Sequence, residues 1–141
     1  MSKALIIVDV QPTFCEGGEL GVEGGNAVAE RIAEYVETHR NEYSYVATTQ
    51  DWHVEPGRHW SDDPDYVDTW PVHGKAGTAN AGLHPAIAAL GIGHHFKKGQ
   101  YSPSCGRGRI GGIALREGNR VGCEKARLRD ACHRGTDRAC Q

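Results

Sequence analysis

Four residues with metal-binding side chains lie within 23 positions of the sequence, in a D-x-H-(x5)-H-(x13)-H array: Asp51, His53, His59 and His73. Imidazole nitrogens and carboxylate oxygens are ligands of borderline divalent ions such as zinc, iron(II) and manganese(II). A site without cysteine ligands that leaves coordination positions open usually binds or activates a small molecule. The array therefore predicts one divalent metal ion. Because the chain has eight histidines, a chance cluster of surface histidines is the alternative.

The flanking sequence predicts how these side chains meet. The β-branched and aromatic segment 45–50 predicts a strand that runs into Asp51. Side chains at positions i and i+2 of an extended chain point the same way, so Asp51 and His53 can reach one ion. A turn at Pro56 and Gly57 can return the third ligand, and His73 arrives from a second loop.

The remaining elements predict an α/β fold with a mostly parallel sheet. A continuous apolar run over residues 4–8 is typical of a central strand covered on both faces. Asn26 is a predicted N-cap for a helix that ends near His39. Residues 51–82 form a long loop, and a loop of that length in a compact domain is usually functional. A short helix over 86–90 and a strand over 92–98 complete the predicted elements.

Ionisable residues stand at the ends of all three predicted strands, namely Asp9, Asp51 and Lys98. Ligands of parallel sheets bind beyond the carboxyl ends of the strands, so we expect these side chains to converge on one crevice. Asp9 could instead cap a turn, and Lys98 could be an ordinary solvated lysine.

Six stretches of the chain resemble the nicotinamidase/pyrazinamidase branch of the isochorismatase-like cysteine hydrolases. They cover residues 3–102 and occur in the order typical of the family: Ala4–Gln11, Phe14–Leu20, Thr49–His53, Pro56–His59, Thr69–His73 and Phe96–Gly99. The resemblance implies a three-layer, Rossmann-like sheet fold. It also implies hydrolysis of nicotinamide to nicotinate and ammonia through a thioester, and deamidation of pyrazinamide.

The resemblance also implies a role for each matching residue. Asp9 matches the aspartate that exchanges a proton with a cysteine thiol, and Lys98 matches the lysine that lowers the thiol pKa. Phe14 and Trp70 match the aromatic residues on either side of the pyridine ring, and otherwise would be core or loop-anchoring aromatics. The four residues of the array match the metal ligands.

The resemblance stops after residue 102, where the nucleophilic cysteine and its strand–turn–helix context are missing. Residues 1–102 hold 7 basic and 14 acidic residues, a net charge of −7, whereas residues 103–141 hold 9 and 4, a net charge of +5. We expect a domain over 1–102 that is incomplete on its C-terminal side, followed by a poorly ordered tail over 103–141. Out-of-frame translation of a GC-rich gene is a hypothesis that explains the Arg-, Gly- and Cys-rich tail. The available cysteines, each a poor candidate nucleophile, are Cys15, Cys105, Cys123, Cys132 and Cys140.

The residues also leave room for function classes other than a cysteine hydrolase. A metal-binding pseudoenzyme or fragment, and a hydrolase that uses metal-bound water, stay open. Nucleic-acid binding is disfavoured by the net charge of −2 and the lack of aromatics among the tail arginines. A zinc site in the tail lacks the usual cysteine spacing. We expect a cytoplasmic protein with no membrane span and no disulfide framework, acting on a small molecule. A homo-oligomer stays open.

Overall fold

The computed structural model describes residues 2–101 and two further strand segments, 112–117 and 120–122. Its strands and α-helices follow one another as β1 (Lys3–Val8), α1 (Gly25–His39), β2 (Tyr45–Asp51), α2 (Pro85–Ala88), β3 (His95–Lys98), β4 (Gly112–Glu117) and β5 (Arg120–Gly122). Four single-turn 3-10 helices lie in the connections: Pro12–Phe14, Arg40–Glu42, Gly57–His59 and Ala79–Ala81. None of the helices among these residues is long and apolar enough to cross a membrane.

The strands form one sheet in the order β3-β2-β1-β4-β5. The first three are parallel, with Val8 opposite Thr49 and Asp51 opposite Lys98. This register brings the carboxyl ends of β1, β2 and β3 to the same edge of the sheet, which is where ligands bind in parallel sheets. The predicted α/β fold with a mostly parallel arrangement in its N-terminal part is confirmed.

The hydrophobic core lies between the first strand and the two helices. Leu5 and Ile7 of β1 are fully buried and pack with Ile32 of α1 and Ile87 of α2. Each such side chain contributes about 1.5–3 kcal/mol by leaving water. Residues 4, 6 and 8 point to the opposite face of the strand and are only partly buried. The first strand is therefore better covered on one face than on the other.

The first helix begins differently from the prediction. Gly24 is the N-cap, with φ of 81°, and α1 begins at Gly25 instead of after Asn26. The carboxylate of Glu16 accepts hydrogen bonds from the backbone N–H groups of Gly24 and Asn26, so a distant side chain does the capping. The side chain of Asn26 is then available to His84, whose Nε2 lies 3.1 Å from its Oδ1.

Other predicted elements also differ from the structure. The helix α2 ends at Ala88, and β3 begins at His95 because Ile92 packs into the core instead of extending the strand. Two strands, β4 and β5, lie within the segment 103–141 that we expected to be a poorly ordered tail. The strand β4 pairs antiparallel with β1, and β5 pairs antiparallel with β4. Backbone pairing requires only an extended chain beside the open edge of β1, not an apolar run.

Candidate functional site

Asp9 leaves the sheet immediately after β1. Its φ of 52° lies in the left-handed region that few residues other than glycine adopt. Its backbone N–H still donates to the carbonyl oxygen of Thr49 at 3.1 Å, while the Thr49 hydroxyl donates to Asp9 Oδ1 at 2.7 Å. The strained backbone and this hydrogen bond together aim the buried carboxylate at the ends of the neighbouring strands.

Lys98 lies between two carboxylates. Its Nζ is 3.0 Å from Asp9 Oδ2 and also contacts Asp51 Oδ1. Burial disfavours the charge on Lys98, but the hydrogen bond and charge of Asp51, followed by those of Asp9, outweigh it and raise the lysine pKa. The three strand-end groups therefore meet in one crevice. Lys97 turns to the other side, where its Nζ lies 3.5 Å from the centre of the Trp52 ring.

Three buried histidines form a compact cluster next to this ion pair. One ring nitrogen each of His53, His59 and His73 lies within 4.8 Å of the others. The two loops that carry them are joined by backbone hydrogen bonds. The N–H of His53 donates to the carbonyl of Gly74, and the N–H of Trp70 donates to the carbonyl of His59. Each loop therefore fixes the position of a histidine on the other.

Hydrogen bonds to backbone carbonyls orient two of the rings. His53 Nδ1 lies 2.6 Å from the carbonyl oxygen of Gly99, and His73 Nδ1 lies 2.7 Å from that of Pro71. A carbonyl only accepts, so each Nδ1 carries a hydrogen and each Nε2 keeps a lone pair in the neutral ring. The Nε2 of His53 is buried and has no hydrogen-bond partner. An unpaired buried acceptor among imidazoles fits a divalent cation.

The surroundings of His59 and His73 favour neutral rings, which is the form that binds metal. Burial lowers the pKa of His59, and its histidine neighbours lower it further. Burial also lowers the pKa of His73, although its hydrogen bond to Pro71 opposes the shift.

Asp51 links the ion pair to the histidines. Its Oδ2 lies 3.9 Å from His53 Nε2, while its Oδ1 contacts Lys98. It therefore lies at the margin of the three-histidine cluster. The carboxylate faces a cation on one side and an imidazole on the other, so its position affects both groups.

The two predicted aromatic residues lie in different surroundings. Phe14 is buried, and its ring centre lies 6.2 Å from that of His73. Trp70 is partly buried and packs edge-on against Tyr66, with ring centres 5.8 Å apart. Its backbone, through the bond to His59, belongs to the cluster loops. The predicted stacking of a ligand ring between these two side chains stays a prediction.

Three polar residues around the site were missed by the sequence analysis. Gln11 bonds to the backbone of Asp51, and Thr49 bonds to Asp9. The hydroxyl of Thr13 donates to Glu19 and accepts from the N–H of Gly74, next to His73. The only signal in the sequence is that these polar residues lie near the ends of β1 and β2, which does not indicate their partners.

Cys15 is the only cysteine among residues 2–101. It is buried, and its thiol donates to the carbonyl of Gln11 at 3.4 Å. Burial, and then the charge of Glu16, raise its pKa. A buried thiol with a raised pKa is a poor nucleophile. The other four candidate cysteines and most of the predicted tail lie outside the described residues.

Comparisons with known proteins agree with this geometry. An isochorismatase domain model matches residues 3–107. The chain is 46% identical over 100 residues to the nicotinamidase/pyrazinamidase of Mycobacterium tuberculosis, covering 71% of this chain and 53% of that protein. It is 30% identical over 112 residues to the nicotinamidase of Escherichia coli, covering 70% and 52%.

A solved structure, PnC1 from L. infantum in complex with nicotinate, superposes with a TM-score of 0.58 at 32% identity, covering 71% of this chain and 48% of that chain. The chain thus spans about half the length of the curated relatives it matches. These matches confirm the family inferred from the sequence motifs. The chain belongs to the isochorismatase domain family.

Proposed function

We propose that the protein is a nicotinamidase, which hydrolyses nicotinamide to nicotinate and ammonia and also deamidates pyrazinamide. The contact of Lys98 with both Asp9 and Asp51, beside the histidine cluster, is the observation that carries the proposal. The similarity to nicotinamidases supports the same reaction. We further propose that the activity serves pyridine nucleotide salvage in the cytoplasm.

In the proposed reaction, Asp9 and Lys98 act on a cysteine thiol. The charge of Lys98 favours the thiolate, and Asp9 accepts the thiol proton. The sulfur attacks the carboxamide carbon, the C–N bond breaks, and Asp9 returns the proton to the leaving ammonia. Water then cleaves the thioester, which releases nicotinate and restores the thiol. Asp9 is suited to this exchange because Thr49 and Lys98 hold its two oxygens in place.

His53, His59 and His73, with Asp51, would hold one divalent ion: zinc, iron(II) or manganese(II). When bound, such an ion can coordinate the pyridine nitrogen and so fix the position of the carboxamide. The backbone carbonyls that bond the Nδ1 atoms of His53 and His73 support this assignment, because they leave the Nε2 lone pairs for the ion.

Phe14 and Trp70 would bind the aromatic ring of the substrate. Stacking of an aromatic pair contributes about 1 kcal/mol beyond the burial of its surface. The burial of Phe14 beside His73 supports its part of this role. Trp70 would have to exchange its contact with Tyr66 for the ligand ring.

The test is ammonia release from nicotinamide by the purified full chain, loaded with each metal in turn. We expect release that is lost in Asp9→Asn and Lys98→Met and retained in the matched control Lys97→Met. Activity that survives thiol alkylation would replace the cysteine mechanism with attack by a metal-activated water. Equal activity in all three variants would contradict the roles of Asp9 and Lys98.

The second candidate function is metal binding without turnover. The observation that favours it is the state of Cys15, which is buried with a raised pKa and is the only cysteine among residues 2–101. A folded chain that binds one metal ion per molecule and releases no ammonia would support this alternative. Turnover followed by its loss in a single Cys→Ala variant would reject it.

A further inference from the structure

The sheet changes its hydrogen bonding where β1 ends. The last backbone bond from the first strand to the second is the one from the Asp9 N–H to the Thr49 carbonyl. Asp9 then turns away through its left-handed conformation, while β2 continues to Asp51. Without a replacement, the backbone of Asp51 would lose its partner on this side in a buried position, which costs free energy.

The side chain of Gln11 supplies that replacement. Its Oε1 accepts from the N–H of Asp51 at 2.8 Å, and its Nε2 donates to the carbonyl of Asp51 at 2.9 Å. The Nε2 also donates to the carbonyl of Ala81 at 2.7 Å, and the side chain is fully buried. The amide thus bonds both backbone groups of one residue, as a neighbouring strand would.

We propose that Gln11 is a positioning residue that holds Asp51 between Lys98 and the histidine cluster. With its backbone bonded on both polar groups, Asp51 presents one carboxylate oxygen to Lys98 and the other toward His53. Residues that orient metal ligands through hydrogen bonds are often as important as the ligands themselves. The metal part of this inference rests on the proposed function, whereas the restraint on Asp51 does not.

Gln50 provides a matched control. It is also buried, and its Nε2 donates to the same acceptor, the carbonyl of Ala81, at 3.1 Å. The side chain of Gln50 bonds the Ala81 carbonyl, whereas the side chain of Gln11 bonds that carbonyl and also the backbone of Asp51. A change to methionine keeps the length of either side chain and removes its amide. If the loss of a buried polar bond is what matters, Gln11→Met and Gln50→Met should have similar effects. If Gln11 specifically restrains Asp51, only Gln11→Met should change zinc affinity and exchange at Asp51.

The test combines two measurements on the full chain. Zinc affinity is measured by competition with a chromophoric chelator, and exchange of the Asp51 amide hydrogen is measured without metal. We expect Gln11→Met to lose about 10- to 100-fold in zinc affinity and to speed exchange at Asp51. Gln50→Met should stay close to the parent in both. In an Asp51→Asn background, Gln11→Met should have little further effect on zinc affinity.

Failure of the parent chain to bind zinc would contradict the proposed metal site, and amide exchange would still decide the role of Gln11. Unchanged affinity and exchange in a folded Gln11→Met chain would overturn the inference, as would equal losses in both glutamine variants. If Gln11→Met does not fold, Gln11→Glu keeps the acceptor for the Asp51 N–H but removes the donor to the Asp51 carbonyl. A loss of zinc affinity is then expected with little change in exchange at Asp51, and unchanged affinity would overturn the inference. Failure of both Gln11 variants to fold while Gln50→Met folds would assign Gln11 to stability alone.

Discussion

Replacing Lys98 with methionine tests whether the ion pairs of Lys98 with Asp9 and Asp51 stabilise the fold in addition to forming part of the site. The change keeps the aliphatic stem and removes the charge. The side chains of Asp9 and Asp51 are 11% and 10% exposed, so two carboxylates would be left close together with little access to water. Removal of the cation should therefore destabilise the folded chain.

The expected magnitude follows from burial. Removing one partner of a buried ion pair costs about 3–5 kcal/mol. The side chain of Lys98 is 35% exposed, so solvent screens part of the interaction and we expect a loss of about 2 kcal/mol at pH 7. The lysine pKa is raised in the folded chain, so its contribution is complete below its unfolded pKa, near 10.4, and is lost as the pH rises through the higher folded pKa.

The measurement is urea unfolding of the full chain with a metal chelator present, at pH 7 and pH 9. Lys97→Met is the matched control, and it should lose about 0.5–1 kcal/mol with its contact to the Trp52 ring. The difference between Lys98→Met and the parent should be the same at pH 7 and pH 9, because the contribution of Lys98 is complete below its unfolded pKa. Equal losses in the two variants, or a difference that shrinks at pH 9, would contradict this prediction.

Three further predictions concern Gly74 beside Asp51, the effect of Glu19 on acid stability, and the core residue Ile87. Gly74→Ala should weaken zinc binding, because its added Cβ would lie 3.2 Å from the Cβ of Asp51. The control Gly77→Ala is also at positive φ but has open space around the added Cβ, so it should only lower stability. Equal zinc affinity of the two variants in calorimetric titrations would contradict this prediction. Burial opposes the charge of Glu19, but hydrogen bonds outweigh it and lower its pKa. The parent should therefore lose stability as the pH falls below about 4.3 more steeply than Glu19→Gln in acid unfolding. Ile87→Ala should cost about 2–5 kcal/mol in urea unfolding, and a loss below about 1 kcal/mol would contradict its place in the core.

The convergence of Asp9, Asp51 and Lys98 could be predicted because each residue follows an apolar or β-branched strand. In a parallel sheet, strand order and direction are enough to bring such residues to one edge. The histidine cluster could be predicted as well, since local turns around Pro56 and Gly57 limit where its loops can go.

The hydrogen bonds of Gln11 and the cap of α1 could not be predicted in the same way. The bonds of Gln11 depend on Asp9 leaving the sheet through a left-handed conformation, which nothing in the local sequence requires. The cap of α1 comes from Glu16, eight residues before Gly24, and replaced the predicted local cap. Both features depend on tertiary contacts, which strand and helix patterns do not encode.

The most direct measurement is ammonia release by the full chain, folded and loaded with zinc, iron(II) or manganese(II), from nicotinamide and from benzamide. Benzamide has the same carboxamide but lacks the ring nitrogen that can bind a metal. We expect clear turnover of nicotinamide and much slower turnover of benzamide. Equal turnover of the two amides would contradict the role of the histidine cluster, and no release from either would contradict the proposed hydrolase.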